Sequence, residues 1–135
     1  CGASEGAGLG ASARSALIAR GYAEMARLVA AMGGSATTLT GLAGLGDLTL
    51  TCTSLQSRNY RFGMALGQGE SVAAILAGGA PLAEGVATTP VAAALARSLG
   101  VELPLVDAIE AVLSGQADIA KVVAGLMSRP LKRED

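Results

Sequence analysis

Between Gly44 and Gly63 the chain reads GLGDLTLTCTSLQSRNYRFG, and this stretch holds the residues best suited to chemistry. Ser57, Arg58 and Asn59 place a hydroxyl, a guanidinium and a carboxamide in three consecutive positions. If Ser57 caps a helix, Arg58 and Asn59 fall in its first turn. Free backbone N–H groups and the positive end of the helix dipole favour an anion there. The guanidinium fork grips two phosphate oxygens at once, and a carboxamide both donates and accepts, which suits a hydroxyl. The plain alternative is a helix cap beside a solvated cation. Upstream, Asp47 follows Gly44-Leu45-Gly46. It is either a helix N-cap or a carboxylate that orients a cation or a hydroxyl. From Asp47 to Thr53 polar and apolar residues alternate, as in a half-buried strand. In a helix, Asp47 and Thr51 would instead share one face.

Several kinds of chemistry are excluded by what the chain lacks. It has no His, so no Ser-His-Asp triad and no His general base can form within it. Cys1 and Cys52, without His partners, do not make a zinc site, and they are expected to be free thiols in a cytoplasmic protein. A net charge of -1 with no basic block argues against a nucleic-acid partner, and 2% aromatic residues against base stacking. No apolar run reaches the roughly 18 residues of a membrane span. The 135 residues suit one domain, 1–135, and the start at Cys rather than Met reads as an internal fragment.

The elements that must position these residues read as helices. Ile18, Tyr22, Met25, Val29 and Met32 trace the buried face of a helix from about Ser12, stopped by Gly33-Gly34. Its small residues Ala13, Ser15, Ala16 and Ala19 invite another helix close. Ser57 starts a helix ending at Gly67 or Gly69, and Ser71 a short one closed by Gly78-Gly79. Thr89-Pro90 reads as the start of a helix ending at Gly100, because Pro at the first helical position loses no needed bond. Pro104 repeats the device, with Leu105, Ile109, Val112 and Leu113 as the buried face. A last helix spans about Asp118 to Met127, before a charged tail SRPLKRED. No candidate strand has a plausible partner, so the fold class is all-α and Asp47–Thr53 is read as a helix. Gly46 and Ser57 then stand at the starts of two short helices. GAGLGA, from Gly6 to Ala11, fits a dinucleotide fingerprint only in letters. No hydrophobic strand precedes it and one long helix follows, so it reads as a flexible entry with close helix packing.

GLAGLGDLTLTCTSLQSRNYRFGMALGQG, from Gly41 to Gly69, resembles the signature of bacterial NAD(P)-dependent glycerol-3-phosphate dehydrogenase. SARSALIARGYAEMARL before it, LAEGVATTPVAAALARSLGVELPL after it and AGLMSRPLKRED at the end are similar to the family in order and spacing. The resemblance implies a multi-helix domain like the C-terminal domain of the 6-phosphogluconate dehydrogenase type. It also implies an N-terminal Rossmann domain, outside this chain, that binds NAD(P)H. The family interconverts dihydroxyacetone phosphate and sn-glycerol 3-phosphate for phospholipid synthesis, and self-association as a homodimer is common in it. Carried over letter by letter, Asp47, Ser57, Arg58 and Asn59 would contact the glycerol phosphate, with Thr51 beside it. Arg58, Leu82 and Glu84 would contact the cofactor. The family's proton-donating lysine lies just upstream of where this chain begins, and Asp47 would hold it and help set its charge. The first lysine here is Lys121, in a different context, so the chain alone is expected to be inactive. A second enzyme reading is another dehydrogenase on the same two-domain plan. From a different class comes a stand-alone helical module that associates through its small-residue faces.

Overall fold

A computed structural model describes residues 1–129, so the tail beyond Arg129 lies outside the described residues. Among those residues there are eight α-helices and no strand. They are α1 (Gly2–Gly6), α2 (Gly10–Ala31), α3 (Asp47–Thr53), α4 (Arg58–Gly67), α5 (Val72–Ala77), α6 (Glu84–Ser98), α7 (Pro104–Leu113) and α8 (Ile119–Ser128). A 3-10 turn, Ala36–Thr40, and a π-helical turn, Leu42–Gly46, bridge α2 to α3. The caps follow the sequence. The Ser57 hydroxyl accepts the Tyr60 N–H, Ser71 accepts that of Ala74, and the Asp118 carboxylate accepts those of Ala120 and Lys121. Gly33 and Gly115 close α2 and α7 with φ of +81° and +73°, values that only glycine adopts freely.

Small residues bring α1 and α4 together. A Cβ on Gly63 would sit 2.9 Å from the Ala3 nitrogen, and one on Gly2, Gly6 or Gly67 would meet backbone of the facing helix at once. The close approach predicted for the first turns of α2 thus occurs one element earlier. Of the stretch read as a flexible entry, Gly6 ends α1 against the backbone of α4, and Gly8 and Gly10 make the turn into α2. The core gathers around Phe62, Ile75 and Ala83, with Val72 and Leu113 against it. Leu17, Leu103, Val123 and Leu126 are buried as well.

Three expectations about the helices are corrected. On α2 the buried residues are Leu17 and Glu24; Ile18, Tyr22, Met25 and Val29 are half-buried and Met32 is exposed. On α7 nothing is fully buried, because Leu105, Val112 and Leu113 face an open cleft, and Ile109 is exposed. The helix assigned to Thr89-Pro90 begins earlier, at Glu84, and Pro90 lies inside it. The missing Pro90 N–H leaves the Val86 carbonyl without its helical donor. That local cost is overridden by a tertiary bond at the true start of α6.

Candidate functional site

α4 begins where Ser57, in extended conformation, turns its hydroxyl onto the Tyr60 N–H at 3.2 Å. The loop before it is held by the Arg61 guanidinium, which donates to the Leu55 and Gln56 carbonyls. Arg58 and Asn59 therefore occupy the first turn on a fixed base. A cation at this end of a helix opposes the dipole, so local stability does not explain Arg58. Its guanidinium donates to the Glu84 carboxylate at 3.0 Å, with both side chains well exposed at 50% and 70%. One residue on, Asn59 Oδ1 accepts the Gly85 N–H at 2.9 Å. α6 has no side-chain cap of its own. Asn59 supplies one from a distant element, which is why the helix starts at Glu84 and not at Thr89.

Asp47 sits across a shared cleft. It is fully helical, with φ −65° and ψ −42°, so it is not an N-cap. Gly46, the last residue of the π-helical turn, is helical too and runs into α3 without a break, so α3 offers no free helix start there. Asp47 is exposed, and among the described residues its carboxylate makes no hydrogen bond or ion pair. Thr51 lies one turn on, as the i, i+4 spacing requires. Its hydroxyl donates to the Asp47 carbonyl at 2.8 Å, leaving the oxygen lone pairs for a ligand.

Asp47, Thr51 and Asn59 line one cleft of about 510 Å³. Its walls are otherwise mainly apolar, from Leu17, Phe62, Leu105, Val112 and Val123 among others. Cys52, a free thiol, lines it too, and burial pushes the pKa of that thiol up. Arg58 and Glu84 stand beside this cleft through their neighbours Asn59 and Gly85, which line it. Ser57 spends its hydroxyl oxygen on the cap. Leu82 is 61% exposed, in the segment leading into α6. The structure thus brings Asp47, Thr51 and Asn59 together around the cleft and pairs Arg58 with Glu84, while Leu82 lies apart in an exposed segment.

Sequence reasoning missed Gly85, whose Cβ would lie 2.9 Å from Asn59 Oδ1. With the helix read as starting at Thr89, Gly85 fell outside every predicted element, so no local signal marked it. It also missed Glu24, which is buried on α2 and accepts the Leu105 and Val106 N–H groups at the start of α7. Nothing in the spacing pointed to it. Among the described residues no three His, Cys, Asp or Glu cluster as metal ligands, and no helix is long and apolar enough to cross a membrane.

Comparison with known proteins places this arrangement. Residues 1–124 match the family model described as the C-terminus of NAD-dependent glycerol-3-phosphate dehydrogenase. The chain is 54% identical over 134 residues to a glycerol-3-phosphate dehydrogenase (NAD(P)+) of Hyphomonas neptunium, covering 99% of the chain and 40% of the relative. It is 52% identical to one from Caulobacter vibrioides over the same shares. Among solved structures, the glycerol-3-phosphate dehydrogenase of Coxiella burnetii superposes with a TM-score of 0.91 at 46% identity, over 95% of this chain and 39% of that one. The chain spans about two fifths of the length of these relatives. With its helical architecture and its family match in agreement, the chain belongs to the glycerol-3-phosphate dehydrogenase family, as the all-helical C-terminal domain.

Proposed function

We propose that this domain binds the phosphate ester in an enzyme that interconverts dihydroxyacetone phosphate and sn-glycerol 3-phosphate with NAD(P)H. The partner is an N-terminal Rossmann domain of the same cytoplasmic enzyme. The observation that carries this reading is the convergence of Asp47, Thr51 and Asn59 on one largely apolar cleft, with Arg58 and Glu84 joined beside it.

Each residue has a defined task. Arg58 and the first-turn N–H groups of α4 hold the phosphate oxygens, and the anion offsets a cation placed against its own helix dipole. Asn59 has its oxygen bound to Gly85, so its amide N–H groups are the part that remains for the ligand. Asp47 is the carboxylate facing a cationic group or a hydroxyl. Binding energy from the unreactive phosphate then positions the carbonyl carbon.

The nicotinamide cofactor, when bound, supplies the hydride. The residues here fit its polar periphery. Arg58 suits a phosphate, the exposed Glu84 carboxylate a hydroxyl, and the exposed Leu82 an apolar ring face. Arg58 would be shared between substrate and cofactor phosphates.

Arg58→Ala in the intact enzyme tests the reading. A charge-assisted bond lost from the transition state corresponds to roughly 10- to 100-fold in kcat/KM for dihydroxyacetone phosphate. Unchanged kinetics would remove the assignment. The competing reading, a module that self-associates through small-residue faces such as Ala13, Ser15, Ala16 and Ala19 of α2, predicts no ligand at the start of α4, so glycerol 3-phosphate binding there in calorimetry on the intact enzyme would remove it.

A further inference from the structure

Glu84 is the first residue of α6, and the positive end of that helix's dipole favours a carboxylate there. Its side chain reaches across to α4, where Oε1 accepts from Arg58 Nη2 at 3.0 Å. The two residues are joined through that one nitrogen and one oxygen. What each gains from the pair is unequal. Arg58 stands in the first turn of α4, where a cation opposes the helix dipole, so a negative charge beside it offsets a local cost. Glu84 already stands where its charge is favoured. Arg58 needs an anion, and Glu84 does not need Arg58.

The backbone beneath the pair is held independently of it. Asn59 Oδ1 accepts the Gly85 N–H at 2.9 Å, one residue along from each member. The Thr88 hydroxyl donates to the Glu84 carbonyl at 2.9 Å. Among the described residues neither side chain of the pair has a second partner. Both are well exposed, so the pair is weak and screened by salt. The two side chains can part by rotating about their own bonds while both helix starts stay in place.

A phosphate group and the Glu84 carboxylate compete for one guanidinium. The phosphate takes two of its N–H groups at once, and the first-turn N–H groups of α4 add to the hold. Glu84 offers a single charge and a single bond. With both anions on Arg58, like charges would lie close enough to repel.

We infer that Glu84 sets the affinity of the site for the substrate's phosphate group, by occupying Arg58 in competition with it. The arriving phosphate displaces the carboxylate, which moves into solvent beside the start of α6 and is free to accept a hydroxyl. As the phosphate product leaves, Glu84 returns to Arg58, so a doubly charged product is not held too tightly. This inference rests on the reading of Arg58 as the phosphate anchor. It gives Glu84 a second task, on the substrate side of the site.

Calorimetry of the intact enzyme with sn-glycerol 3-phosphate, at low ionic strength and without nucleotide, tests it. Glu84→Gln keeps the shape of the side chain and an acceptor oxygen but removes the charge. It should bind glycerol 3-phosphate about 3- to 10-fold more tightly than the parent. The gain should shrink as salt is added. Equal affinity in the two proteins would overturn the inference. So would weaker binding by Glu84→Gln, the result expected if the carboxylate holds Arg58 in place for the phosphate. Arg58→Ala, titrated alongside, separates these outcomes from a failure of the underlying reading, because losing the anchor should cost at least about tenfold in affinity. Binding weakened by Arg58→Ala yet unchanged by Glu84→Gln overturns this inference alone. An Arg58→Ala enzyme that binds as the parent does overturns the phosphate assignment and this inference together.

Discussion

Asn59 Oδ1 accepts the Gly85 N–H at 2.9 Å, and this single bond ties the first turn of α4 to the first turn of α6. It places Arg58 against Glu84 and aligns both beside the cleft. Asn59 thereby serves two ends, with its oxygen on the fold and its amide nitrogen free for a ligand. Asn59→Asp keeps the acceptor and loses the donor. That variant should retain stability to within about 1 kcal/mol while the KM for the phosphate substrate rises. Asn59→Ala should lose both. Denaturation midpoints and steady-state kinetics on the intact enzyme separate the two roles, and equal stability loss in both variants would contradict the division.

The Arg58–Glu84 pair is exposed, so its worth to the fold is small. A double-mutant cycle of Arg58→Ala and Glu84→Ala in urea denaturation should return a coupling below about 1 kcal/mol, shrinking further with salt. Activity of the intact enzyme should nevertheless fall sharply on removing Arg58. A large coupling in stability would instead make the pair a structural clamp.

Glu24 predicts a pH dependence. Burial raises its carboxyl pKa above the ordinary 4.5, more than the Leu105 and Val106 N–H groups and Arg27 pull it down, and Asp107 adds to the rise. A folded-state value above the unfolded one means that folding favours the proton. The stability so gained is present below the unfolded value and is lost as pH rises through the folded one. Relative to Glu24→Gln, which keeps an acceptor oxygen without the charge, the parent chain should therefore weaken as pH rises from the ordinary 4.5 through the raised folded-state value. Glu24→Ala should cost about 1–3 kcal/mol even at the acidic end, by leaving the start of α7 without its acceptor. Urea midpoints across that range decide it, and a pH-independent offset between parent and Gln variant would refute the shift.

Two glycines in helices should respond in opposite directions to the same substitution. Gly63→Ala drives a Cβ to 2.9 Å from the Ala3 nitrogen, against backbone that cannot swing away. A loss of about 1–3 kcal/mol should follow, despite the better helix propensity of alanine. Gly125, inside α8, has nothing within 4 Å of the same atom. Gly125→Ala should stabilise by about 0.5–1 kcal/mol. Thermal melts of the two variants test the close α1–α4 packing directly.

The helical class, the caps at Ser57, Ser71 and Asp118 and the glycine stops were legible in the sequence, because each rests on the geometry of a few neighbouring residues. The Asp47–Thr51 face was legible for the same reason. Where α6 begins was not. Thr89-Pro90 is a sound local start signal, yet a bond from Asn59, 26 residues before Gly85, moved the helix start to Glu84. The buried faces of α2 and α7 were misread because periodicity reports which residues share a side and carries no information about what lies opposite. Opposite α7 lies a cleft. Glu24 left no mark in any local pattern, since its partners are the amides of Leu105 and Val106, 81 and 82 residues away. What the sequence by itself determined was the set of helices and the chemical kinds of residue at the site, through short-range sterics and hydrogen bonding. Only the tertiary structure decided which of those residues meet, because their partners come from elements distant in the chain, and only packing brings those elements together.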